Sequence, residues 1–341
     1  MAKKRKKRKT GKSRRISRII GFAVLSSVVA MSLAGNWFVH HPKSWVDRYC
    51  DSWPKFATAP LLWFGNPFAD ITDSLGWTGH DAVYEYDVSA PVNRVLFAGA
   101  PKRICAPAPA DIMIIDRGSF KIGWSPSLKH PLWCAYHVPA KLKFEDGNRP
   151  SFTIDRSVAS SPKPADYTRS GYDRGHMVPN HAIITRFGEN ERRKTFMMSN
   201  ISPQSPPLNR GVWRDVEHRI TDFWTEKYGE IWVVVGCIPS SSDEKISGSG
   251  IDIPDAYYQI IIAQQGYEVR ALAVAFPQRI SWNAWAARYI TTIDEIEKMS
   301  GLNFNPDLPD FIQDPLEAEL PSRLWPIRPQ DIFKQIMLRF H

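Results

Sequence analysis

No C-x-x-C pair occurs in these 341 residues; the four cysteines stand at 50, 105, 134 and 237, separated by 55, 29 and 103 positions. That spacing argues against a zinc knuckle and against a thioredoxin-like site. In an exported chain four cysteines permit two disulfides with three connectivities. The alternative is that Cys134 and Cys237, each inside an apolar run, are buried free thiols. Acidic residues are absent from positions 1–18, which hold eleven Lys/Arg. The rest of the chain has no basic excess: 33 basic residues face 35 acidic ones, a net of −2, although the whole chain carries +9. Overall basicity is therefore no evidence for a nucleic-acid partner, and any phosphate-binding surface has to be a local patch. No internal repeat is visible, and low complexity is confined to a Ser/Gly/charged loop at 240–250. With 43% hydrophobic residues, the chain holds enough apolar material for one large domain or two small ones.

Charge is also missing from Ile19 to Val39, 21 residues that would span about 31 Å as a helix, close to a bilayer core. The cations before this run would keep the N-terminus in the cytoplasm and send the residues after it across the membrane. An uncleaved transmembrane signal anchor fits the length. A signal peptide cleaved after Ala34 is the second reading, since Ser32-Leu33-Ala34 offers a small-x-small site. A buried core helix would leave eleven cations without a role. Lys3–Lys9 resembles a nuclear localisation string and Ser13-Arg14-Arg15 a twin-arginine signal, but the apolar run and the Ser17-Arg18 that precedes it fit neither well. The expectation is an exported protein, periplasmic if bacterial, anchored through 19–39 or secreted after cleavage. His40 and His41 read as interfacial.

Residues 40–94 are rich in Trp and Pro without a clear period and read as a connector. Beyond them, Ile112–Ile115, Phe120–Trp124 and Leu132–Val138 read as strands, with turns at Arg117-Gly118 and Ser125–Pro131. Phe196–Ile201 reads as another short strand, and Ile231–Ile238, Tyr257–Gln264 and Val269–Phe276 as longer ones. Val212, Val216, Ile220, Phe223 and Trp224 repeat at helical spacing and predict a principal helix over 208–228. A short helix at Asp294–Met299 is stopped by Gly301. The fold class is α+β.

Two segments carry chemistry. Gly171-Tyr172-Asp173-Arg174-Gly175-His176-Met177 puts Asp, Arg and His within four positions. Met198-Ser199-Asn200-Ile201-Ser202-Pro203-Gln204 leads to Leu208-Asn209-Arg210-Gly211, Trp213 and Glu217. In this order and spacing they resemble the DNA/RNA non-specific endonucleases of the ββα-metal class, the endonuclease G type. Pro131-Leu132-Trp133-Cys134-Ala135-Tyr136 and Ile296-Glu297-Lys298-Met299-Ser300-Gly301-Leu302 fit the same family. The likeness covers 95–312, leaving 313–341 as a C-terminal extension.

That resemblance implies a ββα-metal fold: a central antiparallel sheet with flanking helices. It also implies hydrolysis of phosphodiester bonds in DNA and RNA without strong sequence preference, with Mg²⁺ as cofactor and Mn²⁺ able to substitute. His176 is the expected general base, since a ring titrating near neutrality can take a proton from water. Asn209 is the expected metal ligand; its neutral amide leaves the ion's charge available to the substrate. Glu217, eight residues on, would share the helix face of Asn209 and accept from a metal-bound water. Asn200 would brace the site, and Arg174 would contact phosphate or else pair with Asp173. His181 is expected to be structural. The family is compatible with a homodimer.

The chain departs from the pattern twice. The family arginine after Trp-x-Ala-Tyr falls on His137, which is carried as a substitute phosphate contact or, with its side chain into the sheet, as packing. The arginine one turn beyond the glutamate falls on Thr221, with Arg219 beside it. The alternative function is a catalytically weak, nuclease-derived nucleic-acid-binding protein tethered to the membrane. A third reading, a membrane-tethered structural module, would have no affinity for nucleic acid.

Overall fold

A computed structural model describes residues 95–140, 148–266 and 268–328, with the backbone of Tyr84–Glu85 and the single residue Ser32. The chain divides into a unit at 1–72 and a unit at 73–341, and the described residues from Tyr84 onward belong to the second. The basic segment, the body of the 19–39 run, His40 and His41 lie outside the described residues. Among the described residues no helix is long and apolar enough to cross a membrane.

The main strands are β1 (Met113–Asp116), β2 (Phe120–Ser125), β3 (His130–Val138), β4 (Asp173–His176), β5 (Ile201–Gln204), β6 (Glu230–Ile238), β7 (Ala256–Gln265) and β8 (Glu268–Pro277). The main helices are α1 (Asn180–Phe187), α2 (Glu189–Thr195), α3 (residues 208–228), α4 (Ile293–Ser300) and α5 (Asp310–Ala318). The sheet runs β1-β2-β3-β6-β7-β8, every pair antiparallel, and Tyr84–Glu85 adds to the outer edge of β8. β4 and β5 form a separate two-stranded ribbon.

Both faces of the sheet are covered, which explains why β3 is buried at all nine positions and β7 from Tyr257 to Ala263, Gln259 included. On one face Tyr257 meets Trp213 of α3 with ring centroids 5.9 Å apart. Cys134 touches Asn200 on that face, Sγ to Oδ1 3.8 Å. On the other face Trp232 packs on Phe97 at 5.5 Å and Tyr258 on Phe304 at 5.5 Å. The expected apolar stripe of α3, Val212 to Trp224, is buried.

α3 is not a regular helix. Wide turns at Leu208–Trp213 and Arg219–Trp224 flank a regular turn at Arg214–His218, and Gly211 has non-helical backbone angles (φ −104°, ψ −114°). At the other end of the fold, Gly301 closes α4 with φ 74° and a backbone so close that a β-carbon would lie 2.3 Å from Cys105 O. α5 crosses residue 312, and Leu316, Leu324, Trp325 and Ile327 belong to the core. Core packing therefore continues past 312, the end that the motif resemblance implied: Trp325 packs on Trp224 and Tyr228 of α3. Cys105, Cys134 and Cys237 are free thiols, the last two buried.

Candidate active site

His176 closes β4, paired with Ile201 of β5. The ribbon is tight because Gly175 lies against Gln204: a β-carbon at 175 would stand 2.2 Å from Oε1 and 2.4 Å from Cδ of that buried side chain. Gly175→Ala is expected to cost about 1–3 kcal/mol through overpacking, read as a lower denaturant midpoint at unchanged m-value.

Asn200 locks the chain just after His176. Its Oδ1 accepts from Val178 N at 3.0 Å, its Nδ2 donates to Val178 O and Thr195 O at 3.0 Å each, and its own carbonyl accepts from Met177 N at 2.9 Å. It is fully buried. Asn200 is thus placed as a positioning residue, its whole amide taken up by the backbone of Val178 and Thr195.

The His176 ring lies edge-on to Phe196 at 4.8 Å and tilted to Phe152 at 5.2 Å. Its Nε2 is out of solvent and has no hydrogen-bond partner. Burial, helped by the charge of Arg149, pushes its pKa down to about 3. The ring is neutral at physiological pH, but it does not titrate near neutrality as the sequence led one to expect: burial makes it a weaker base than a free imidazole. Two cations share its aromatic bay: Arg149 over Phe196 (5.4 Å) and Phe152 (5.9 Å), and Arg174 over Phe152 (5.6 Å). Arg174 donates to Pro164 O at 2.9 and 2.7 Å; Asp173 is not its partner. The two guanidiniums set positive charge locally beside the ring.

Asp173 instead holds Arg210 through a two-pronged pair, with Nε at 2.7 Å, and accepts from Asn209 Nδ2 at 3.0 Å. Burial would raise the Asp173 carboxyl, but the hydrogen bonds from Arg210 and Asn209 outweigh it and hold it below the usual range. A carboxylate can only accept, so the amide nitrogen of Asn209 must face it and Oδ1 must face away. Asn209 N is fixed to Ser205 O at 2.9 Å.

Glu217 accepts from Trp213 Nε1 at 2.9 Å. Burial raises its pKa to about 8 against the pull of Trp213 and Arg214. The face shared by Asn209 and Glu217, expected from eight residues of regular helix, does not follow here, because the wide turn and Gly211 break the period between them. Arg219 is 1% exposed and pairs with Asp215, so it does not present a guanidinium in place of the family arginine missing at Thr221.

His137 is not brought to this cluster. Strand alternation puts it on the opposite sheet face from Cys134 and Tyr136, stacked on Trp232 at 4.6 Å with Nε2 3.2 Å from Glu230. Its expected phosphate contact is withdrawn, and with it the pH dependence that such a contact would impose. His137→Gln is expected to leave kcat/KM and its pH profile unchanged.

Sequence patterns do not single out Arg149, Phe152 or Phe196, which reach His176 only through the fold. A sheet-backed ribbon carrying a neutral histidine, an amide whose nitrogen is held by Asp173 so that its oxygen is turned outward, and two arginines is the kind of site that suits phosphate esters. The DNA/RNA non-specific endonuclease family model matches residues 105–311, and the chain belongs to that family. It is similar to the mitochondrial nuclease EXOG of Danio rerio (30% identity, covering 55% of this chain and 59% of that protein). It is also similar to the Serratia marcescens nuclease (28%, covering 60% and 79%) and the human mitochondrial endonuclease G (26%, covering 57% and 69%). The chain spans little more than half the length of the EXOG nucleases that it matches. The crystal structure of an EndoG/EndoGI complex shares the fold, at TM-score 0.52 and 23% identity over 57% of this chain and 86% of that one.

Proposed function

We propose that this protein is a metal-dependent endonuclease that hydrolyses phosphodiester bonds of DNA and RNA without strong sequence preference. The observation that carries the reading is His176, neutral and with Nε2 unpartnered, set among Arg149, Arg174 and the Asp173–Asn209 pair. The neutral ring accepts the proton of the water that attacks phosphorus. Arg149, exposed and anchored over two rings, and Arg174 offer positive charge to the phosphate oxygens. Phe152 and Phe196 hold the imidazole in place.

The donor set fits a hard divalent cation: Asn209 Oδ1 faces away from Asp173, and Glu217 is a half-buried carboxyl, its pKa raised to about 8, that a nearby cation would ionise. Mg²⁺, or Mn²⁺ in its place, would be held through Asn209 Oδ1 and would neutralise charge on the phosphoryl group. Glu217 then accepts hydrogen bonds as a carboxylate, and Asp173 orients the amide.

Supercoiled plasmid incubated with the full chain and Mg²⁺ should be nicked and then degraded, and EDTA should stop it. Undiminished cutting in excess EDTA would rule out the metal-dependent reading. We further propose that the domain acts on the non-cytoplasmic side, held by 19–39 or released near Ala34. Protease added outside intact cells or spheroplasts should then digest it, whereas nuclease protected inside the cytoplasm would contradict this placement.

A further inference from the structure

Outside the proposed nuclease site, His181 in the first turn of α1 and His218 and Asp222 in α3 converge on one point. His181 Nε2 lies 2.8 Å from Asp222 Oδ1, and His218 Nδ1 lies 2.8 Å from Asp222 Oδ2. The two rings are 5.5 Å apart, and one ligand atom from each residue lies within 4.8 Å of the others. We propose that these three residues form a second metal site, for a zinc-class divalent ion.

The chemistry favours that class of ion. Two imidazoles and one carboxylate suit zinc and its neighbours, whereas Mg²⁺ prefers oxygen donors such as Asn209. Three protein ligands leave a fourth position for water. The side chains are 35% (His181), 27% (His218) and 15% (Asp222) exposed, open enough for an ion to enter. Ligands around a tetrahedral zinc stand about 3.3 Å apart, given bonds of about 2.0–2.1 Å. The present 2.8 Å contacts, made to different oxygens of Asp222, need to open by about half an ångström, and the wider separations among the three ligand atoms, up to 4.8 Å, need to close by as much as about 1.5 Å.

Each ring now turns a nitrogen toward Asp222; metal binding needs that nitrogen bare, with its proton on the other ring nitrogen or lost to solvent. Burial would raise the Asp222 carboxyl, but the hydrogen bonds and charge of the two histidines hold it well below the usual range, so it is an anion ready to bind. Arg186, the cation facing this carboxylate, places its guanidinium on Pro139 O and Thr221 O and on the Thr185 and Thr225 hydroxyls, leaving the cluster's ligand atoms clear. An ion here would tie α1, which follows the His176 strand, to α3, which carries Asn209 and Glu217.

The test uses the full chain, stripped with EDTA, dialysed, and titrated with ZnCl₂ by calorimetry and by metal analysis after gel filtration. One zinc should stay with each chain and raise Tm, and His218→Ala and Asp222→Asn should each weaken binding at least about tenfold, since losing a ligand costs no less than losing a group that orients one. Because those variants also break hydrogen bonds that hold α1 to α3, His181→Gln is the deciding one. Its amide can still donate to Asp222, but the imidazole is gone. Zinc retained by wild type and lost from folded His181→Gln supports the site. Wild type that retains no zinc, or equal retention by His181→Gln, overturns it. Neither result depends on whether the chain cuts nucleic acid.

Discussion

His176→Ala should lower kcat/KM on DNA by about 10²–10⁴-fold, the range for removing a general base, with DNA affinity nearly unchanged. In the proposed site Arg149 and Arg174 would hold the phosphate, and both are anchored on phenylalanine rings rather than on the imidazole. Because Nε2 has no partner, the substitution strands no buried donor, and the fold should lose only ring packing against Phe152 and Phe196. The depressed pKa adds a signature. The native ring stays neutral down to about pH 3, while the unfolded ring takes up a proton near its ordinary value of 6.5. Between those values the unfolded state binds the extra proton, so this residue lowers stability as pH falls from 6.5 toward 3. Tm should therefore drop less steeply with acidification in His176→Ala than in wild type. An equally steep drop would place the ring's titration elsewhere.

Asn209→Ala should fail differently, through metal affinity. Losing the one protein oxygen turned away from Asp173 should raise the Mg²⁺ concentration for half-maximal activity, and excess Mg²⁺ should restore part of the rate. Asp173→Ala should show a milder form, a loss of about 10–100-fold in metal affinity, the usual cost of removing a group that orients a ligand. Asp173 also neutralises Arg210, so its loss frees a guanidinium beside the site; tighter DNA binding together with weaker Mg²⁺ affinity is the expected pattern. Metal titrations that coincide for wild type and both variants would remove Asn209 from the metal.

The sequence made the fold's apolar parts legible. Strands β2, β3, β6, β7 and β8 stand out as apolar runs, and α3 as a stripe from Val212 to Trp224. Helices α1 and α2 are not legible, because their buried faces include arginines. Arg186 donates to Pro139 O and Thr221 O, and Arg192 to Asn180 Oδ1, so charge sits where an apolar residue would mark the period. The strand expected over 196–201 is in fact a tight turn at Met198–Asn200, followed by β5. There the Asn200 side chain takes up backbone groups of Thr195 and Val178 that a strand would pair otherwise.

The site shows the same division. The spacing of Asp173, His176 and Asn209 is local, and the motif resemblance marks it. Arg149 reaches His176 through tertiary contact with two phenylalanines, which no spacing reveals. The face of His137 depends on the sheet's register, and the relation of Asn209 to Glu217 on a kink at Gly211 that a helical wheel does not register.

Double-stranded DNA, single-stranded DNA and RNA, each given to the wild-type chain and to His176→Ala with Mg²⁺ and again with EDTA, test the central claim most directly. Wild type should degrade all three, EDTA should stop it, and His176→Ala should leave all three essentially intact. Cleavage that survives both EDTA and His176→Ala, or a wild-type chain that binds these substrates without cutting any, would contradict it.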